Sequence, residues 1–194
     1  MRQTLLFEKF QNNQNEWEIV DAIDETAYID EEGYHVSNKN ENRWHHFSIH
    51  PLISPAKNRI VQCLIELEQC NAYGQFGLMW GFDKSLKRVN RFTIPVNGKG
   101  CSIVQFERNH KNIFYGFYEP YFSIDTNQPI LFEISRVDRY YFFRLNKQLV
   151  YISHVAHFTD MGRGIGFYVE PGIKICVKKL RISSLTKNTT SSSQ

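Results

Sequence analysis

The sequence predicts an all-β protein, an antiparallel two-sheet β-sandwich, and three observations carry that reading. Apolar residues recur at every second position, not every third or fourth. Fifteen Phe and ten Tyr supply rings that suit a pleated surface better than a helix. Turn signals return at short intervals, with no helical stretch of comparable length between them.

In chain order, the first turn signal is "DEEGY" around Gly33. The run "RIVQCLIELEQ" then alternates Val61, Cys63, Ile65 and Leu67 against Gln62, Glu66 and Glu68, with Leu64 breaking the rhythm. In "YGQFGLMWGF", Phe76, Leu78, Trp80 and Phe82 share a core face with Gly74; Tyr73, Gln75, Gly77, Met79 and Gly81 take the other. Bare glycines on that second face relieve crowding and permit curvature or a close neighbour. "RFTIPV" puts Phe92, Ile94 and Val96 on one side, and "NGKG" at Asn97 to Gly100 turns the chain. "PILFEIS" alternates Ile130, Phe132 and Ile134 with Glu133. After a turn at Asp138, "RYYFFRLNKQLVYI" reads as two strands joined at Asn146-Lys147, since Asn tolerates a left-handed backbone. "HFTDMGRG" is too short and glycine-rich for more than a loop or a single turn, and "EPGI" at Gly172 marks the last reversal. Residues 1–185 form one domain in this reading, and the polar 186–194 a flexible tail.

At 194 residues and 42% hydrophobic, the chain suffices for one full core. A formal charge of +3, spread along the chain, argues against a nucleic-acid partner. The densest basic group, "KKLR" at Lys178 to Arg181, reads as a solvated strand face. No window approaches the roughly 20 apolar residues of a membrane span, and the N-terminus shows no signal-peptide pattern. Cys63, Cys70, Cys101 and Cys176 form no CxxC pair, so buried, reduced thiols and a cytoplasmic location are expected.

The order "LLFEKFQNNQNEWEIVD", "AYIDEEGYHVSNK", "IVQCLIELEQ", "YGQFGLMWGF", "NRFTIPVNGKGCSIVQFE", "ILFEISRVDRYYFFRLNKQLVY" and "GRGIGFYVEPGIKICVKKLRI" spans about residues 4 to 183. It resembles the concanavalin A-like jelly roll, in particular laminin G-like and bacterial sugar-hydrolase-associated domains. The resemblance implies a fold rather than an activity, because such domains serve as binding modules, enzyme accessories and enzymes.

The residues bear on four chemistries. Laminarinase-type glycosidases of this fold carry acids in an E-x-D-x-E pattern along one strand, and retaining hydrolysis needs two carboxyls about 5 Å apart. Glu66 and Glu68 match the first part, but Cys70 stands where the third acid belongs, leaving Glu133 as the other strand candidate. His46 and His50 would lie roughly 13 Å apart on a strand, too far for one zinc ion. His154 and His157 could meet only in a turn, and "DTN" at Asp125 to Asn127 is the one calcium-like cluster; no metal or cofactor is expected. No GxSxG elbow or P-loop occurs, and "GRGIGF" leads into a strand rather than a helix.

The remaining chemistry is recognition. The non-core sides of the strands offer Gln62, Glu66, Glu68, Gln75, Met79, Arg91, Thr93, Glu133, Tyr140, Phe142 and Arg144, a mixture suited to sugar hydroxyls and ring faces or to a polypeptide. Its plain alternative is a half-exposed sheet whose charges pair across strands. "FYGFYEPYF" adds Tyr118 and Tyr121 as candidate partner-binding residues. The expectation is a non-catalytic module binding a glycan or a protein on its concave sheet or rim loops. Its rivals are a sugar hydrolase using Glu66 and Glu68, and an assembly subunit docking through Tyr118 and Tyr121.

Overall fold

The computed structural model describes residues 2–40, 45–49, 58–70, 73–83, 88–107, 110–117, 122–158 and 164–185. Their strands are β1 (Arg2–Glu8), β2 (Val20–Asp21), β3 (Glu25–Ile29), β4 (Tyr34–Asn38), β5 (His45–Ile49), β6 (Arg59–Gln69), β7 (Gln75–Asp83), β8 (Arg88–Pro95), β9 (Cys101–Glu107), β10 (His110–Phe117), β11 (Ile130–Val137), β12 (Tyr140–Leu145), β13 (Gln148–His154), β14 (Ile165–Val169) and β15 (Ile173–Leu185). The sole helical element among the described residues is a 3-10 turn, Val155–His157, next to the segment expected to hold a single turn.

The strands make two antiparallel sheets. Nine build the first, in the order β13-β12-β11-β6-β15-β4-β3-β2 with β1 added alongside β15, and six build the second, β10-β9-β8-β7-β14-β5. Register explains why each sheet has one apolar face. Across β6 and β11, Val61 sits opposite Ile134, Cys63 opposite Phe132 and Ile65 opposite Ile130. On β7, Leu78 lies between Phe92 of β8 and Phe167 of β14, and Phe76 between Ile94 and Val169.

These two apolar faces meet in the core. Phe92 presents its edge to Phe132 at 5.3 Å and to Phe143 at 5.4 Å, while Trp80 reaches Phe143 at 5.7 Å. A second aromatic group, Phe10, Trp17, Tyr34 and Phe167, belongs to the same core, and the Tyr34 hydroxyl donates to the Glu18 carbonyl. Full burial of each such ring stabilises the fold by about 1.5–3 kcal/mol. Phe76, Leu78 and Trp80 are all interior, as the alternation requires.

Two local features explain the sequence at tight places. A Cβ on Gly77 would come 2.2 Å from the Phe92 carbonyl oxygen, so glycine there is what allows β7 and β8 to approach. Asn146 and Lys147 have φ values of 48° and 72°, the left-handed pair of a two-residue hairpin. The Asn146 side chain accepts from the Leu131 N–H and its own N–H donates to the Leu131 carbonyl, locking that hairpin onto β11. Cys63, Cys101 and Cys176 are buried as expected, but Cys70 is exposed: it follows the last residue of β6, where the apolar face has ended. Among the described residues no helix is long and apolar enough to cross a membrane.

Candidate functional site

The candidate recognition residues do not share one surface. Gln62, Glu66, Glu68, Glu133, Tyr140, Phe142 and Arg144 stand on β6, β11 and β12 of the nine-stranded sheet; Gln75, Met79, Arg91 and Thr93 stand on β7 and β8 of the six-stranded sheet. The sheets pack core face to core face, so their other faces point in opposite directions. A two-residue rhythm distinguishes the two sides of a strand but does not say to which sheet the strand belongs.

On the nine-stranded sheet the polar candidates form a cross-strand ladder. The Arg2 guanidinium donates to Gln62 Oε1 (2.6 Å), Gln62 Nε2 donates to Glu133 Oε2 (2.7 Å), and Arg144 Nη1 donates to Glu133 Oε1 (3.1 Å) and to Ser135 Oγ (3.0 Å). Arg144 also lies 5.5 Å from the centre of the Phe142 ring. Tyr140, on the same side of β12, is half exposed and meets the His154 ring edge-on. Leu149 and Ile152 of β13, opposite Arg144 and Phe142 in register, are exposed too.

Farther along that sheet lies a cluster the sequence reading did not assemble. His35 is buried, with Nδ1 3.0 Å from Glu68 Oε2 and Nε2 2.9 Å from Asp30 Oδ1. Its ring stacks on Tyr28 (4.6 Å between centroids), and Cys176 Sγ is 3.7 Å from Nε2. Lys174 pairs with Glu68, and Lys178 with both Glu66 and Glu32, each at 3.0 Å. Burial pushes the Glu68 carboxyl up, but the hydrogen bonds from His35 and Lys174 outweigh it and hold it below its ordinary value. Burial lifts the Cys176 thiol to about 11, with nearby Lys178 working the other way. The available signal was topological: Tyr28 and His35 face each other across the β3–β4 hairpin, and Cys176 pairs with His35 on one side and Glu66 on the other.

The six-stranded sheet's outer face is different. The Arg91 guanidinium is enclosed between the Phe106 ring (3.9 Å) and the Tyr168 ring (4.0 Å), and Tyr168 donates to Glu170 Oε1. Burial lowers the Arg91 pKa against the opposing pull of Tyr168 and Glu170. Thr93 donates to Gln75 Oε1, and Met79, Thr93 and Val104 are buried. Arg91, Met79 and Thr93 are therefore packed groups rather than an open platform.

The other candidates resolve simply. Asp125 Oδ1 accepts from both the backbone and side-chain N–H groups of Asn127, so "DTN" is a self-satisfied turn. His154 and His157 do meet across the 3-10 turn, ring centroids 6.4 Å apart. Tyr118, Tyr121 and His50 lie outside the described residues, as does the side chain of His46. A cavity of about 230 Å³ beside β1 is lined by Phe7, Glu8 and Asn12, but Glu8 is already bonded by the Phe10 N–H and Asn15.

No family model and no curated protein matches the chain in sequence. Solved structures do match its fold. The carbohydrate-binding module CBM66 from Bacillus subtilis superposes with a TM-score of 0.66 at 17% identity, over 89% of this chain and 98% of that one. A Bacillus subtilis protein of unknown function with a galectin-like fold gives 0.63 at 13%, covering 95% and 98%. The laminarinase catalytic domain from Thermotoga maritima gives 0.67 at 7%, covering 96% and 99%. The fold is a jelly-roll β-sandwich of the concanavalin A-like type. Such neighbours include both sugar-binding modules and glycosidase catalytic domains, and at these identities they define architecture alone.

Proposed function

We propose that this domain is a non-catalytic glycan-recognition module that reads its ligand on the outer face of the nine-stranded sheet, across β6, β11 and β12. The observation that carries this reading is the ladder Arg2–Gln62–Glu133–Arg144, with the half-exposed Tyr140 ring on the same face of β12 farther along the strand. Cross-strand bonds fix the donors and acceptors before a ligand arrives, and preorganised groups lose little entropy on binding. Tyr140 gives a sugar ring a flat apolar face. From Tyr140 to Arg144 the strand runs about 13 Å, longer than one sugar ring, so the surface suits an oligosaccharide.

The hydrolase reading finds less support. Glu66 is paired with Lys178, Glu68 with Lys174 and His35, and Glu133 with Arg144 and Gln62. A general acid needs a carboxyl whose pKa is raised towards the working pH, and that of Glu68 is lowered.

A glycan array followed by calorimetry on the hits tests this. Binding without hydrolysis is expected, weakened at least tenfold by Tyr140→Ala and by Arg144→Ala with the fold intact. Absence of any glycan binding, or sugar release that Glu66→Gln and Glu68→Gln abolish, would overturn it.

A further inference from the structure

We propose that His35, Cys176 and Glu68 form a binding site for a divalent zinc-type cation on the outer face of the nine-stranded sheet, separate from the glycan surface. The three residues offer ligand atoms that all lie within 4.8 Å of one another. Imidazole nitrogen, thiolate sulfur and carboxylate oxygen together make a donor set that zinc favours. Two ligands on a tetrahedral zinc, with bonds of about 2.0 Å to nitrogen and about 2.3 Å to sulfur, stand ~3.5 Å apart. His35 Nε2 and Cys176 Sγ are 3.7 Å apart before any ion is added.

The surroundings of His35 argue for a cation. Both ring nitrogens face a carboxylate, Glu68 at Nδ1 and Asp30 at Nε2. A neutral imidazole has one N–H, so one of those carboxylates then confronts a lone pair. Either a second proton or a metal ion removes that conflict. The 3.7 Å spacing to Cys176 Sγ puts the ion on Nε2, so Glu68 leaves Nδ1, as it leaves Lys174, to become the third ligand.

Charge points the same way. Four carboxylates, Asp30, Glu32, Glu66 and Glu68, face two lysines, Lys174 and Lys178, so with neutral imidazole and thiol the cluster carries a formal −2. Binding replaces the Cys176 S–H bond by a sulfur–metal bond and releases that proton to solvent. Lys174 gives up Glu68 and turns outward, which its part-exposed side chain permits. The placement is rigid, because His35 and Cys176 are direct cross-strand neighbours on β4 and β15 and Tyr28 backs the ring.

The test uses chelator-treated full-length protein titrated with Co2+ and then Zn2+. One cobalt per chain is expected, with a sulfur-to-metal charge-transfer band that zinc abolishes and a rise in melting temperature on zinc addition. Cys176→Ser should lose the band, and Glu68→Gln, an isosteric change at the surface, should weaken zinc binding at least tenfold; Cys70→Ser, which alters the exposed thiol, should change neither. No stoichiometric binding by the wild-type chain would overturn the proposal. So would a band that persists in Cys176→Ser, or unchanged affinity in Glu68→Gln, which decides the matter if the serine variant fails to fold.

Discussion

The outer faces of the two sheets use arginine in opposite ways. On the six-stranded sheet, Arg91 is clamped between Phe106 and Tyr168 and has left bulk water. On the nine-stranded sheet, Arg144 is part exposed and spans neighbouring strands to Glu133 and Ser135. The first arginine works as packing that happens to be charged, the second as a solvated connector. One strand pattern, apolar then polar, produced both environments. What separates them is the neighbours: rings of β9 and β14 flank Arg91, whereas a carboxylate and a hydroxyl of β11 flank Arg144.

The largest expected effect tests the close approach beneath the Arg91 side. Gly77→Ala would drive a Cβ into the Phe92 carbonyl and should cost about 3 kcal/mol, read from the urea midpoint at constant slope. A cost below about 1 kcal/mol would show that β7 and β8 can part easily. Arg91→Ala removes a desolvated cation and its stem from between two rings and should cost roughly 2–3 kcal/mol. Arg144→Ala breaks a solvent-screened pair and should cost about 0.5–1 kcal/mol. Equal losses at the two sites would mean that Arg91 and Arg144 do not differ in kind. The smallest effect is chemical: in native protein a thiol reagent should modify Cys70 quickly and leave Cys63 and Cys101 untouched. Burial pushes the Cys101 thiol to about 12 and raises Cys63 as well, so neither offers thiolate at neutral pH. Rapid modification of Cys63 or Cys101 would mean that the core opens readily.

Local devices were legible in the sequence. The alternation in "RIVQCLIELEQ" marks β6 from end to end, and Asn146-Lys147 announces a hairpin because few residue pairs accept that backbone. Longer-range facts were not. β6 and β7 are consecutive strands, yet one enters the nine-stranded sheet and the other the six-stranded sheet, so Glu68 and Gln75 face away from each other. Neither residue's neighbours in sequence encode that crossing. Likewise His35 and Cys176 are 141 positions apart and meet only because β4 pairs with β15. Their chemistry is a product of topology. Each residue alone reads as an ordinary part of a strand.

β15 holds β6 along one edge and, on the other, β4 by its first half and β1 by its second. The strand that knits the middle of the larger sheet is thus also the last of the fifteen to leave the ribosome. Earlier strands can gather into hairpins and an aromatic cluster during synthesis, but β4, β6 and β1 keep bare hydrogen-bonding edges until that closing ribbon slides in. The larger sheet is incomplete until β15 pairs, and a chain stopped short of Ile173 would present sticky margins to its neighbours instead of a finished surface.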